Sequence, residues 1–129
     1  MRKNPRLLVV DDEIDICNFV KSFFQTRGFE VSTARNGEEA MSQLLSERPD
    51  VVILDVMMQN GNEGLEYLPK IKKALPLSKV IMVTAVEDGA IIEAAREKGA
   101  DDYITKPLVL EYLETTVLDK IKHLSTAVA

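Results

Sequence analysis

The sequence predicts an α/β fold built on a parallel sheet, and three observations predict it. The runs Leu7-Leu8-Val9-Val10, Val51-Val52-Ile53-Leu54 and Val80-Ile81-Met82-Val83 are continuously apolar, as strands are when helices cover both faces of their sheet. Between the runs, apolar side chains recur at the spacing of helices that bury one face. Strand and helix patterns alternate along the chain, an order that implies a parallel sheet wound by right-handed crossovers.

The first strand, Leu7 to Val10, leads into a helix that carries Ile14, Cys17, Val20 and Phe24 on one side. Arg27-Gly28 ends that helix, placing a basic residue before the glycine that accepts left-handed backbone. A weaker strand, Phe29 to Ala34, and a helix from Asn36 to Arg48 follow, and Pro49 stops the helix. The third strand is Val51 to Leu54, and its helix runs from Leu65 to Leu75 before Pro76. The fourth strand, Val80 to Val83, precedes a helix from Asp88 to Lys98 closed by Gly99. The fifth strand, Asp101 to Thr105, is weak, and the last helix shows Leu110, Leu113, Val117, Ile121 and Leu124 at helical spacing. There is no internal repeat, linker or low-complexity segment, so one domain over residues 1–129 with a core of about 6–124 is expected.

A chain of 129 residues, 46% hydrophobic, is long enough to bury its own core. Its formal net charge of -5 repels polyanions, so nucleic acid and anionic membrane are not expected as direct partners. No apolar stretch approaches the roughly 20 residues that span a bilayer. No secretory signal follows the basic N-terminus, because Asp11 and Asp12 interrupt the apolar run, and a cytoplasmic location is expected. Cys17 is the single cysteine and reads as a small core residue, which excludes an internal disulfide and a thiolate metal site.

In an open wound sheet, ligands sit outside the carboxyl ends of the strands, where the strand order reverses. The first strand runs into Asp11-Asp12, the third into Asp55, the fourth into Thr84 and the fifth into Lys106-Pro107. All of them therefore face one edge. If the order is 2-1-3-4-5, Asp11, Asp12 and Asp55 converge at the switch point. Singly, each has a plainer reading. Asp12 suits a helix cap, and Thr84 with Glu87 fits a capping box. Asp55 reads as a loop carboxylate and Lys106 as a solvated lysine. As a set, three crowded carboxylates repel by about 4 kcal/mol per close pair at an effective dielectric near 20, and Lys106 offers only one compensating charge. A hard divalent cation answers this, and Mg²⁺ fits an all-oxygen site best. His123, the sole histidine, reads as an exposed residue near the end of the last helix, which argues against zinc. A cation, an aspartate, a lysine and a hydroxyl together make a phosphoryl-transfer site. Asp55 is the best nucleophile, since it stands alone at the tip of the central strand while Asp11 and Asp12 are better placed to hold the metal.

With these residues in view, the chain resembles the receiver domains of two-component response regulators from about Leu7 to Leu124. The resemblance rests on Asp11-Asp12-Glu13, Val52-Ile53-Leu54-Asp55-Val56-Met57-Met58, Val83-Thr84-Ala85, Lys106-Pro107, and Gly99-Ala100-Asp101-Asp102-Tyr103-Ile104. It implies a flavodoxin-like three-layer sandwich, with a five-stranded parallel sheet in the order 2-1-3-4-5 and five helices. It also implies Mg²⁺ bound through Asp12, Asp55 and the backbone carbonyl of Met57, and a cis bond between Lys106 and Pro107. The donor implied is a histidine kinase or histidine phosphotransfer protein. The chain would be a signalling switch and not an enzyme in the usual sense, although it would catalyse its own phosphorylation and dephosphorylation.

The switch expected from the resemblance uses Thr84, Tyr103 and Pro107. Phosphorylation adds about -1.5 to -2 charge, and bonds from Thr84 and Lys106 to the new oxygens draw Thr84 inward. Two charge-assisted bonds of about 1.5 to 3 kcal/mol each reach the roughly 5.5 kcal/mol that inverts a 1:99 equilibrium. Tyr103 turns into the space vacated, and the face of the fourth helix, fifth strand and fifth helix changes for a downstream protein, an effector domain or a second copy of the chain. Tyr103 also reads as a half-buried aromatic on an edge strand. Two departures from the family pattern concern Gln59-Asn60-Gly61-Asn62-Glu63-Gly64, one residue longer and lacking a proline, and the apolar Met57 and Val86 beside the site. The apolar pair implies a long-lived phosphorylated state.

Three rival readings stay open on the residues. A Mg²⁺-dependent aspartyl-phosphate hydrolase shares the nucleophile, but the position of its general acid holds Met57. A flavin or nucleotide binder needs a phosphate loop, and Asp-Asp-Glu after the first strand repels phosphate. A phosphorylation-independent, receiver-like scaffold has no use for the complete set of polar residues.

Overall fold

The computed structural model describes residues 4–58, 61–85 and 89–126. Strands β1 (Arg6–Val10), β2 (Glu30–Ala34), β3 (Val51–Asp55), β4 (Lys79–Thr84) and β5 (Asp102–Thr105) form a parallel sheet in the order β2-β1-β3-β4-β5. Helices α1 (Ile14–Gln25), α2 (Gly37–Glu47), α3 (Glu63–Ala74) and α4 (Gly89–Glu97) make the crossovers. A fifth helix, α5, closes the fold with a turn over Leu110–Tyr112, a π-helical stretch Leu113–Val117 and a longer part Leu118–Thr126. The order and the five-helix count match the α/β expectation.

The continuous apolar runs have a period of two that becomes visible only in the packing. Leu7, Val9, Val51, Ile53, Ile81 and Val83 point to one face, where α1 and α5 supply Val20, Phe24, Leu113, Val117 and Ile121. Leu8, Val10, Val52, Leu54, Val80 and Met82 point to the other, where α2, α3 and α4 supply Leu44, Leu68, Ile71 and Ala95. Each fully buried Leu, Ile, Val or Phe is worth roughly 1.5–3 kcal/mol against exposure, so these two layers hold the sheet between the helices.

Element ends differ from the expected ones for local reasons. Phe29 does not open β2: its N–H bonds the Phe24 carbonyl at 3.2 Å, and its ring meets Phe24 edge-on at 5.2 Å. It therefore closes α1 through Gly28, whose φ of 90° only glycine adopts easily. Asn36 caps α2 by accepting the Glu39 N–H, and Arg48 ends that helix in left-handed backbone. Helix α3 begins at Glu63, two residues before Leu65, and continues past Pro69. The expected start of the fourth helix, Asp88, lies outside the described residues, as do Glu87 of the proposed capping box, Val86, and Gln59-Asn60 of the long loop. Among the described residues, no helix is long and apolar enough to cross a membrane.

Candidate functional site

Parallel register brings the strand tips together. Val10 pairs with Leu54 across β1 and β3, so the residues that follow, Asp11 and Asp55, end side by side. Asp55 pairs with Val83, which puts Thr84 one residue further along the same edge. Thr84 pairs with Thr105, and the Lys106 N–H donates to the Thr84 carbonyl at 2.8 Å, so the lysine leaves the sheet at the same rim.

One carboxylate oxygen from each of Asp11, Asp12 and Asp55 lies within 4.8 Å of the other two. Asp11 and Asp55 are buried and Asp12 is half-buried. Lys106 Nζ stands 2.8 Å from Asp55 Oδ2 and 3.4 Å from Asp11 Oδ2. The other Asp55 oxygen accepts the Met57 N–H at 3.3 Å, while Asp11 Oδ1 accepts the Glu13 N–H at 2.9 Å. Glu13, not Asp12, occupies the cap position of α1, so the plainer reading of Asp12 as a helix cap does not describe it. The Cys17 thiol sits beneath, donating to the Asp11 carbonyl at 3.3 Å, and burial pushes its pKa up to about 11, which leaves it an unreactive core group.

Burial raises the Asp55 carboxyl to about 7, since desolvation and the neighbouring Asp11 charge outweigh the bond from Lys106. The Lys106 ammonium is itself held above its ordinary value by Asp55 and then Asp11, although burial alone would lower it. Lysine stays charged while the aspartate is poised between forms. Positive charge is therefore short by more than one unit when all three carboxylates ionise. The donors are hard oxygens, and an octahedral ion with bonds of about 2.1 Å sets its ligands some 3 to 4.2 Å apart, so the cluster fits Mg²⁺ with a small inward movement.

Thr84 is buried at the end of β4. Tyr103 lies on β5 and is 36% exposed, its ring centroid 5.9 Å from the Lys120 ammonium, which donates to both Asp102 oxygens at 3.0 Å. The Lys106–Pro107 bond is cis. Met57 is largely exposed beside the site, and His123 is exposed near the end of α5.

Two residues escaped the sequence reading. Gly64 lies against β3: a Cβ there would fall 2.0 Å from the Asp55 carbonyl oxygen. Its own N–H bonds the Val56 carbonyl at 3.0 Å. Glu63 is a buried carboxylate whose Oε2 accepts the Gly37 N–H at 2.6 Å, tying the start of α3 to the start of α2. A glycine directly before the expected helix start at Leu65 was the available signal for Gly64; nothing in the sequence marks Glu63 as buried.

The family of response regulator receiver domains matches residues 7–118. The alkaline phosphatase synthesis transcriptional regulatory protein PhoP of Bacillus subtilis is 36% identical over 104 residues, covering 81% of this chain and 43% of that protein. A cyclic di-GMP phosphodiesterase of Thermotoga maritima is 37% identical over 117 residues, covering 91% of this chain and 31% of its own length. The chain thus spans about a third to a half of such curated relatives. Among solved structures, the Vibrio cholerae chemotaxis protein CheY4 superposes with a TM-score of 0.84 at 28% identity, over 94% of this chain and 98% of that one. The receiver domain of the Francisella response regulator 1452 gives 0.84 at 27% identity, over 98% of this chain and 100% of the other.

Proposed function

The chain belongs to the response regulator receiver family of two-component systems, and we propose that within it Asp55 accepts a phosphoryl group from a histidine kinase or histidine phosphotransfer protein. The observation that carries this is the ion pair of Lys106 Nζ with Asp55 Oδ2 at 2.8 Å, set beside the Asp11 and Asp12 carboxylates.

In this reading a carboxylate oxygen of Asp55 forms the new P–O bond while the P–N bond to the donor imidazole breaks, and the departing imidazole takes up a proton. Lys106 gives its bond to the transferring group and so offsets the charge that builds there. Asp11, Asp12, Asp55 and the Met57 carbonyl would hold Mg²⁺, which supplies further neutralisation of the phosphoryl oxygens when bound. Thr84 donates its hydroxyl to the same group from the end of β4. Ile14, Met57, Val109 and Leu110 are exposed apolar side chains on the loops and helix starts of this edge, and they supply the surface on which the donor docks. The outlet is the face of α4, β5 and α5, with Tyr103 at its centre and Pro107 at its upper end, and it meets a downstream protein, an effector domain or a second copy. We place the whole process in the cytoplasm.

The test is direct. Incubation with a small phosphodonor and Mg²⁺ should add one phosphoryl group to the wild-type chain and none to Asp55→Asn, as read by intact mass. Equal labelling of both would remove Asp55 from its role, and no labelling of either would favour a scaffold that does not use phosphate.

A further inference from the structure

Among the described residues, strand β5 is the outer strand of the sheet, with a strand partner on one side only. Backbone amides alternate sides along a strand. The Lys106 N–H points inward to the Thr84 carbonyl at 2.8 Å, so the Thr105 N–H points outward, where a sixth strand would be needed to receive it. The phenol oxygen of Tyr112 accepts that N–H at 3.1 Å. Tyr112 is half-buried and packs against the core layer shared by α1 and α5, and the residue after it, Leu113, is fully buried. The phenol is therefore held by packed neighbours, and the strand end is gripped from both sides.

From this we infer that Tyr112 is a positioning residue for Lys106: its hydroxyl fixes the backbone from which the lysine reaches Asp55. The inference rests on the reading of Asp55 as acceptor and extends it to a residue of α5 that does not touch the reacting groups. Lys106 spans 2.8 Å to Asp55 and 3.4 Å to Asp11 from a backbone anchored by these two amide bonds. Removing one of them widens the range of positions the ammonium visits, and catalysis by positioning is sensitive to such displacement. A hydroxyl that stands in for a missing strand also links the register of α5 to the lysine.

Tyr112→Phe keeps the ring and its packing and removes only the acceptor. With saturating Mg²⁺ and a small phosphodonor, Asp55 phosphorylation should slow roughly three- to tenfold, the size expected for losing one neutral hydrogen bond. The side-chain ammonium resonance of Lys106 should shift and broaden. That of Lys72, bonded to the Ser78 carbonyl and Asp101 away from the site, should stay in place. An unchanged rate overturns the inference. So does a slowed rate with an unmoved Lys106 resonance, or equal changes at both lysines, which would signal general loosening. Failure of the wild-type chain to be phosphorylated sinks the acceptor reading instead, and the resonance comparison still decides whether Tyr112 positions Lys106.

Discussion

As the proposed acceptor, Asp55 would carry two demands that pull against each other: burial favours its neutral form, and nucleophilic attack and metal binding would need its charged one. Its carboxyl titrates near 7 in the folded chain, against an unfolded value near 3.9. Between those values the folded chain keeps a proton that the unfolded chain has released. Its contribution to stability is therefore full below about pH 4 and lost as pH rises through about 7. In Mg²⁺-free buffer the denaturant midpoint of the wild type should fall, relative to Asp55→Asn, between about pH 5 and about pH 8. Mg²⁺ affinity should move the other way, because the ion must displace that proton. Calorimetric titration should show tighter binding at about pH 8 than at about pH 6; the reverse order would mean that Asp55 is not a ligand. The same residue scale carries the expectation of a long-lived phosphoryl group beside apolar Met57, and loss of phosphate within seconds in Mg²⁺ would refute it.

At the level of elements, the junction of β3 with α3 is closely packed. Gly64 lets the helix start against the Asp55 carbonyl, and Glu63 joins that start to the N-terminus of α2, where a carboxylate also meets the helix dipole. Tyr67 occupies the space over Gly37, so the α2 side of the junction is equally close. Gly64→Ala should cost about 1–3 kcal/mol in urea unfolding, the range for overpacking, and should slow Asp55 phosphorylation by displacing the acceptor strand. A stable, fully active Gly64→Ala chain would show that the junction yields easily. Glu63→Ala should cost about 1–3 kcal/mol by leaving the buried Gly37 N–H without its acceptor. Helix α5 differs in kind, since its π-helical turn Leu113–Val117 follows directly on the tyrosine that holds β5.

For the molecule as a whole, one sheet separates two core layers and carries Asp11, Asp12, Asp55, Thr84 and Lys106 on one rim. In the proposed switch, signal would leave by the α4, β5 and α5 face, since β4 and β5 bring both Thr84 and Lys106 to that rim. Thr84→Ala should leave phosphorylation of Asp55 largely intact and weaken phosphorylation-dependent assembly. Sedimentation with phosphodonor and Mg²⁺ should show the wild type moving toward a dimer and the variant remaining monomeric. Equal assembly by both would exclude Thr84 as the link between acceptor and face.

Much of this was readable along the chain. The apolar runs of β1, β3 and β4 announced strands covered on both faces, because no solvated strand tolerates four such residues in succession. Asp11, Asp12, Asp55 and Thr84 stood at the ends of those strands and Lys106 at the end of the fifth, so their shared edge followed from parallel topology. Other features depend on contacts between residues far apart in sequence. Which face each apolar residue serves, the 26-residue reach from Glu63 to Gly37 and the phenol of Tyr112 capping β5 belong to this group. Local propensity and spacing encode the elements and the order in which they pack. Burial and hydrogen-bond partners exist only once the helices are docked on the sheet, and these decide the charge of Asp55 and the position of Lys106.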